Sequence, residues 1–182
     1  LTLAGKDDLR MEPTGDIESL RKSHKHVGAT ELPANREVVL ENISGNAMEI
    51  VAEIDTKKGQ MFEMNVLRSP NKEEYTRIAF FRGRGYRGKS IITIDSSYSS
   101  LLPDVGSRAP ETAPVSLGKK EPLKLRLFVD KSVVEVFVNG KQCVAMRVYP
   151  GRKDSLGVSM RSQGSGAVLK SLDAWQMENI YA

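Results

Sequence analysis

Leu125-Arg-Leu-Phe-Val-Asp-Lys-Ser-Val-Val-Glu-Val-Phe-Val-Asn-Gly140 is the stretch that decides the fold. Leu123, Leu125, Leu127 and Val129 alternate with Lys124, Arg126, Phe128 and Asp130, a period that suits a strand and not a helix. After Lys131-Ser132 comes the run Val133 to Val138, and then Asn139-Gly140, the strongest short hairpin signal a sequence offers. Gln142 to Tyr149 completes a meander closed by Pro150-Gly151. With Lys131-Ser132 as a tight turn, Leu125, Leu127 and Val129 fall opposite Val138, Val136 and Val134 on one apolar face. The other face carries Arg126, Phe128, Asp130, Glu135 and Phe137.

Working outward, the same period governs Glu37 to Leu40, Met48 to Asp55, Phe62 to Leu67, Tyr75 to Phe81 and the segment after Gly88. Strands around Leu156 to Arg161 and Ala167 to Met177 end the chain. Many strands without interleaved helices predict an all-β fold, a two-layer antiparallel β-sandwich of the jelly-roll or concanavalin A-like kind. Ser96 to Lys120, with Pro103, Pro110 and Pro114, reads as one long irregular loop. Near the N-terminus, Asp16 to Lys25 has an acidic start, Ile17 and Leu20 three apart, and a basic second half, which predicts a short helix. The chain thus divides into a linker with a docking helix, residues 1–30, and a sandwich, residues 31–182.

Length and composition set the outer bounds. A chain of 182 residues with 40% hydrophobic content can bury one substantial core. It has no apolar run approaching the ~18 residues of a membrane helix. Its 27 Lys and Arg stand among 23 Asp and Glu from end to end, so the net charge of +4 forms no basic patch for nucleic acid. Cys143 is a single cysteine and cannot form an internal disulfide. The first residues, Leu1-Thr2-Leu3-Ala4, lack the features of a signal peptide and read as the start of a mature or excised piece.

Few residues form a pattern with chemical content. Gly83-Arg84-Gly85-Tyr86-Arg87-Gly88 matches a dinucleotide fingerprint in letters, but a strand follows where the phosphate-binding helix is required, so it reads as a β–β connection. His24 and His26, two apart on the expected helix, share no face and read as solvated residues at its C-terminal end. Asp130 and Glu135 lie diagonally on one face of the hairpin, with Arg126 on the other diagonal of Glu135. Paired carboxylates can perform glycoside chemistry at the right separation, but an ion-paired turn is the simpler reading. Trp175 could be a sugar-stacking platform, although its strand position reads as core.

The hairpin resembles the C-terminal β-sandwich module of glycoside hydrolase family 32, the invertase, levanase, inulinase and β-fructosidase family. The matching residues are Asp130, Ser132 and Glu135 in the Val/Phe-rich hairpin and Arg147-Val148-Tyr149-Pro150 at the end of the next strand. Asp95-Ser96-Ser97 is similar to a segment where the family often has Asp-Arg-Ser, without its arginine. Leu9-Arg10-Met11-Glu12-Pro13 and Ile17-Glu18-Ser19-Leu20-Arg21 resemble the link between the family's catalytic propeller and its sandwich.

The family's catalysis uses an Asp nucleophile in Asn-Asp-Pro, an Asp in Arg-Asp-Pro and a Glu in Glu-Cys, all on the propeller. This chain has no Asp-Pro dipeptide, and Gln142 precedes Cys143, so no catalytic residue carries over. The resemblance implies a non-catalytic accessory module of a retaining β-fructosidase, without cofactor or metal. Its implied partner is the propeller of the same polypeptide, docked through Asp16–Lys25 and the Ser96–Lys120 loop. Fructan contact and a homodimer are further implied associations, with nucleic acid and membrane excluded and a secreted or periplasmic setting favoured. Arg126, Asp130, Ser132, Glu135 and Trp175 are the candidate ligand or interface residues. The alternative is an autonomous carbohydrate-binding module.

Overall fold

The computed structural model of the chain describes residues 1–5, 8–56, 61–106, 108–118 and 120–180. Its strands are β1 (Thr2–Gly5), β2 (Asp8–Arg10), β3 (Arg21–Val27), β4 (Thr30–Leu32), β5 (Glu37–Ser44), β6 (Ala47–Asp55), β7 (Met61–Arg68), β8 (Thr76–Phe81), β9 (Ser90–Asp95), β10 (Glu111–Val115), β11 (Leu123–Asp130), β12 (Val133–Val138), β13 (Gln142–Arg147), β14 (Gly157–Gln163) and β15 (Ala167–Met177). One sheet has the order β13-β12-β11-β6-β15-β3, with β4 also paired to β15. The other has the order β10-β9-β8-β7-β14-β5. Strand pairs in both sheets are antiparallel. β1 and β2 form a separate hairpin.

Successive side chains of a strand point to opposite faces. Ile50, Ile54, Leu125, Leu127, Val134 and Val136 therefore turn inward from one sheet, to meet Phe62, Met64, Ile78, Phe80, Ile92 and Ile94 from the other. Each of these buried side chains contributes about 1.5–3 kcal/mol relative to exposure. The hairpin register is the one its apolar pattern requires: Leu125, Leu127 and Val129 pair with Val138, Val136 and Val134. Asn139 (φ 52°) and Gly140 (φ 63°) both occupy the left-handed region that a tight hairpin turn of matching twist demands.

Three expectations are corrected. Only Ile17–Leu20 of the expected Asp16–Lys25 helix winds, as a single 3-10 turn, and Arg21–Val27 is strand β3 along the edge of β15. Ile17 and Leu20 supply one apolar turn and no more, so pairing with an open sheet edge outweighs local helix preference. The sheet consequently begins N-terminal to the expected boundary at residue 31. The Ser96–Lys120 loop contains β10, paired to β9 in spite of Pro114. β10 is the edge strand, where a missing N–H is tolerated; residues 107 and 119 of that stretch lie outside the described residues. Trp175 is no core residue: it is half-buried on the outer face, between the inward-turned Ala174 and the exposed Gln176. The glycine-rich connection does join two strands, β8 and β9.

Candidate functional surface

The outer face of the β11-containing sheet is organised around one carboxylate that no local pattern singled out. Glu49 sits on β6 between Met48 and Ile50, both core residues, so alternation sends it outward. Phe128 of β11 lies opposite it on one side and Trp175 of β15 on the other. Its side chain is nonetheless 0% exposed. Burying an ionised carboxylate is costly unless charged hydrogen bonds replace its water. Arg21 donates from Nε to Oε2 at 2.8 Å and from NH2 to Oε1 at 2.8 Å, and Arg126 Nε donates to Oε1 at 2.7 Å. Such two-pronged charged bonds are the strong ones. Burial alone raises the Glu49 pKa, but the hydrogen bonds from Arg21 and Arg126 and their charges outweigh it and hold it below the usual value.

This cluster extends along β3 and β15. The Arg21 guanidinium lies 4.2 Å from the Trp175 ring centroid, and the His24 ring stacks on the same indole at 4.9 Å. Glu18, in the 3-10 turn, adds contacts of 3.5 Å to Arg21 and 4.0 Å to Arg126. His24 Nε2 and His26 Nδ1 each lie 2.8 Å from the same oxygen, Oδ1 of Asp173. The hydrogen bond with His26, then that with His24, holds the Asp173 carboxyl below its ordinary value. The two histidines share a face because β3 is extended; on the expected helix they would diverge.

The structure separates the predicted residues into two groups. Arg126 and Trp175 join the Glu49 cluster, where Arg126 pairs with Glu49 and Glu18 in place of the expected Glu135. Glu135 lies further out, opposite Phe128 and Ala145. Burial first, and the charge of Glu135 second, push the neighbouring Cys143 thiol up, which disfavours a reactive thiolate. Asp130 is exposed at the end of β11, and the Ser132 carbonyl accepts from Val148 N at 2.9 Å, fastening the turn to the segment after β13. Asp130 and Ser132 therefore sit at the β11–β12 turn, and Glu135 sits in the middle of β12 between its two neighbouring strands.

Glu49 and Asp173 escaped the sequence reading, Arg21 entered it only as the end of the linker segment, and His24 and His26 were expected as solvated residues of a helix. The available signal was a lone acid inside an apolar strand, Met48-Glu49-Ile50, which implies a compensating cation. Which cation could not be read, because Arg21 and Arg126 come from strands paired to Glu49 only through sheet order.

At the far end of the hairpin, Met11 N donates to Gly140 O at 2.9 Å, strapping the N-terminal segment to this sheet. Met11, Glu12 and Pro13 cover a groove floored by Val51, Arg126 and Phe137.

Comparison with known proteins agrees with this architecture. The chain is 29% identical over 171 residues to a levanase from Bacillus subtilis (strain 168), covering 93% of this chain and 24% of that enzyme. It is 36% identical over 127 residues to a beta-fructofuranosidase, an insoluble isoenzyme from Arabidopsis thaliana, covering 65% of this chain and 21% of that protein. The chain thus spans about a quarter or less of these relatives' lengths. Among solved structures, fructan 1-exohydrolase IIa from Cichorium intybus superposes with a TM-score of 0.80 at 18% identity, over 93% of this chain and 38% of that one. Exo-inulinase from Aspergillus awamori gives 0.74 at 19% identity, over 98% of this chain and 34% of that one. These two likenesses establish the sandwich fold. Residues 16–176 match the family described as glycosyl hydrolases family 32 C terminal, and the chain belongs to that family.

Proposed function

We propose that this chain is the non-catalytic C-terminal β-sandwich module of a fructan- or sucrose-cleaving glycoside hydrolase of the β-fructosidase type. Its role is to stabilise a catalytic propeller in the same polypeptide and to assist in substrate recognition. The observation that carries the reading is the family match over residues 16–176, in a chain spanning only a fraction of its relatives. The sequence lacks the Asp-Pro dipeptides and the Glu-Cys pair of the propeller motifs, in keeping with that role.

The surface of the molecule supports docking through its N-terminal side. Leu1, Leu3 and Leu9 are exposed on and beside the β1–β2 hairpin, and Leu3 pairs with Leu9 in register. A two-stranded ribbon with apolar side chains in water is unstable alone and gains by packing against another body. The strap from Met11 to Leu20 runs from that hairpin onto the Glu49 face, so it fixes how a preceding domain meets the sandwich. Purified chain incubated with sucrose, levan or inulin should release no fructose, and release from any of them overturns the reading. Co-expression with the propeller of a relative should raise the propeller's melting temperature; an unchanged melting temperature removes the stabilising role.

A further inference from the structure

A second built site lies away from the Glu49 face, at the end of the sandwich where β12 begins and β13 ends. The β9–β10 connection and the segment at the end of β13 border an open cleft of about 730 Å³ there. That is within the ~300–1,000 Å³ typical of small-molecule sites. Val133 pairs with Arg147 at this end, whereas Gly140, which holds the N-terminal strap, lies at the other end of β12. The cleft is therefore remote from the point where the chain enters the sandwich. Two segments that carry the family resemblance outside the hairpin, Asp95-Ser96-Ser97 and Arg147-Val148-Tyr149-Pro150, converge on it.

Its rim is held by Glu74, a carboxylate 0% exposed. Glu74 Oε1 accepts from Leu101 N (2.7 Å) and Gly151 N (2.9 Å), and Oε2 accepts from Arg152 N (3.0 Å) and Ser155 Oγ (2.7 Å). One side chain thus ties both walls together. Thr76 Oγ1 and Ser99 Oγ, 2.9 Å apart, and the bond from Tyr75 N to Tyr98 O at 2.8 Å tie the β9–β10 connection to the start of β8. Along this frame, Asp104, Arg108 and Arg147 are exposed at the cleft, and their charged ends have no hydrogen-bond or ion-pair partner among the described residues. Tyr149 and Leu102, 42% and 44% exposed, add an apolar wall.

We propose that this cleft is a carbohydrate-binding site for a neutral, hydroxyl-rich sugar unit. Guanidinium N–H groups of Arg108 and Arg147 donate to sugar oxygens, the Asp104 carboxylate accepts from sugar hydroxyls, and Tyr149 with Leu102 covers the ring's C–H face. A simple anion would satisfy the two guanidiniums and meet Asp104 as a like charge. A sugar satisfies all three. The inference rests on the proposed function only in its choice of fructans as first probes.

The test is affinity electrophoresis and calorimetry on the intact chain with levan, inulin and dextran. Binding to at least one of them is expected, changing little between about 0.05 and 0.5 M salt because the ligand is uncharged. Arg147→Ala and Tyr149→Ala should each weaken it about tenfold or more, and Lys22→Ala, far from the cleft, should leave it unchanged. Thermal melts establish that each variant is folded, and Arg147→Lys serves where Arg147→Ala is not. Absence of binding to all three polysaccharides overturns the proposal. So does binding that survives both cleft variants but is lost with Trp175→Ala, and so does competition by inorganic phosphate with steep salt dependence. Fructose release in the separate hydrolysis assay bears on catalysis alone, so failure of one idea is distinguishable from failure of the other.

Discussion

Glu49 and Glu74 are both fully buried carboxylates on a domain whose core is aliphatic, yet they are solvated in different ways. Glu49 is held by side-chain cations, Arg21 and Arg126, which arrive from two other strands of its own sheet. Glu74 is held by backbone N–H groups of Leu101, Gly151 and Arg152 and by the Ser155 hydroxyl, all from loops. Burial raises both pKa values, and in each case the hydrogen bonds more than reverse it: guanidinium groups for Glu49, Ser155 and the backbone for Glu74. The difference teaches what each fastens. Paired guanidiniums clamp a sheet face and remain partly hydrated, whereas a cage of backbone donors orders loops and has no substitute when the carboxylate is removed.

Acid should produce the largest effect, because it titrates both sites together. A carboxyl with a depressed folded-state pKa gives stability that is complete above its unfolded value, about 4.3 for glutamate, and is lost as pH falls through the folded value. Glu49 and Glu74 are both depressed. Glu37 joins them: burial raises its pKa, but hydrogen bonds from Arg68, Ser159 and Lys72 take it down to about 2. Melting temperature should therefore fall steadily below about pH 4.5; a flat profile from pH 5 to about 2 would remove the electrostatic account of both sites.

Separating the two sites comes next. Glu74→Ala strands one buried and three part-buried donors at once, and urea denaturation should show a loss of about 3–5 kcal/mol. Glu49→Ala should cost less, about 1–3 kcal/mol, since Arg21 and Arg126 can turn to water. The Glu49→Ala loss should shrink at high salt, where the guanidinium attraction is screened, while the Glu74→Ala loss should not. The reverse salt behaviour breaks the distinction. Smallest of all, Trp175→Leu should cost about 0.5–1 kcal/mol through the lost guanidinium–indole contact, read in the same urea titration. A larger loss would mean that Trp175, more than Glu49, organises that face.

These sites differ in how visible they were. Phe128, Glu135 and Arg126 could be placed on a common face from Leu125–Gly140 alone, since a hairpin pairs residues close in the chain and alternation does the rest. Glu49 could be suspected as a lone acid in an apolar strand, but its partners lie 28 and 77 residues away. Glu74 carried no signal, being one of two adjacent glutamates in a turn, Asn71-Lys72-Glu73-Glu74. Arg21–Val27 misled outright, because the pattern of one apolar turn and a basic tail also fits a short helix.

What the sequence determined by itself was the meander from Leu123 to Arg147: its strands, its turn at Asn139-Gly140 and its register. Each rests on period-two alternation and on backbone angles that few residues adopt, and both are properties of neighbouring residues. Only the tertiary structure decided that β3 is a strand, that Glu49 is caged by Arg21 and Arg126, and that Asp95–Ser97 and Arg147–Pro150 meet around one cleft. These outcomes depend on which strands become neighbours in a sheet and which loops share an end. Burial in the common core settles that order, and no local stretch of residues encodes it.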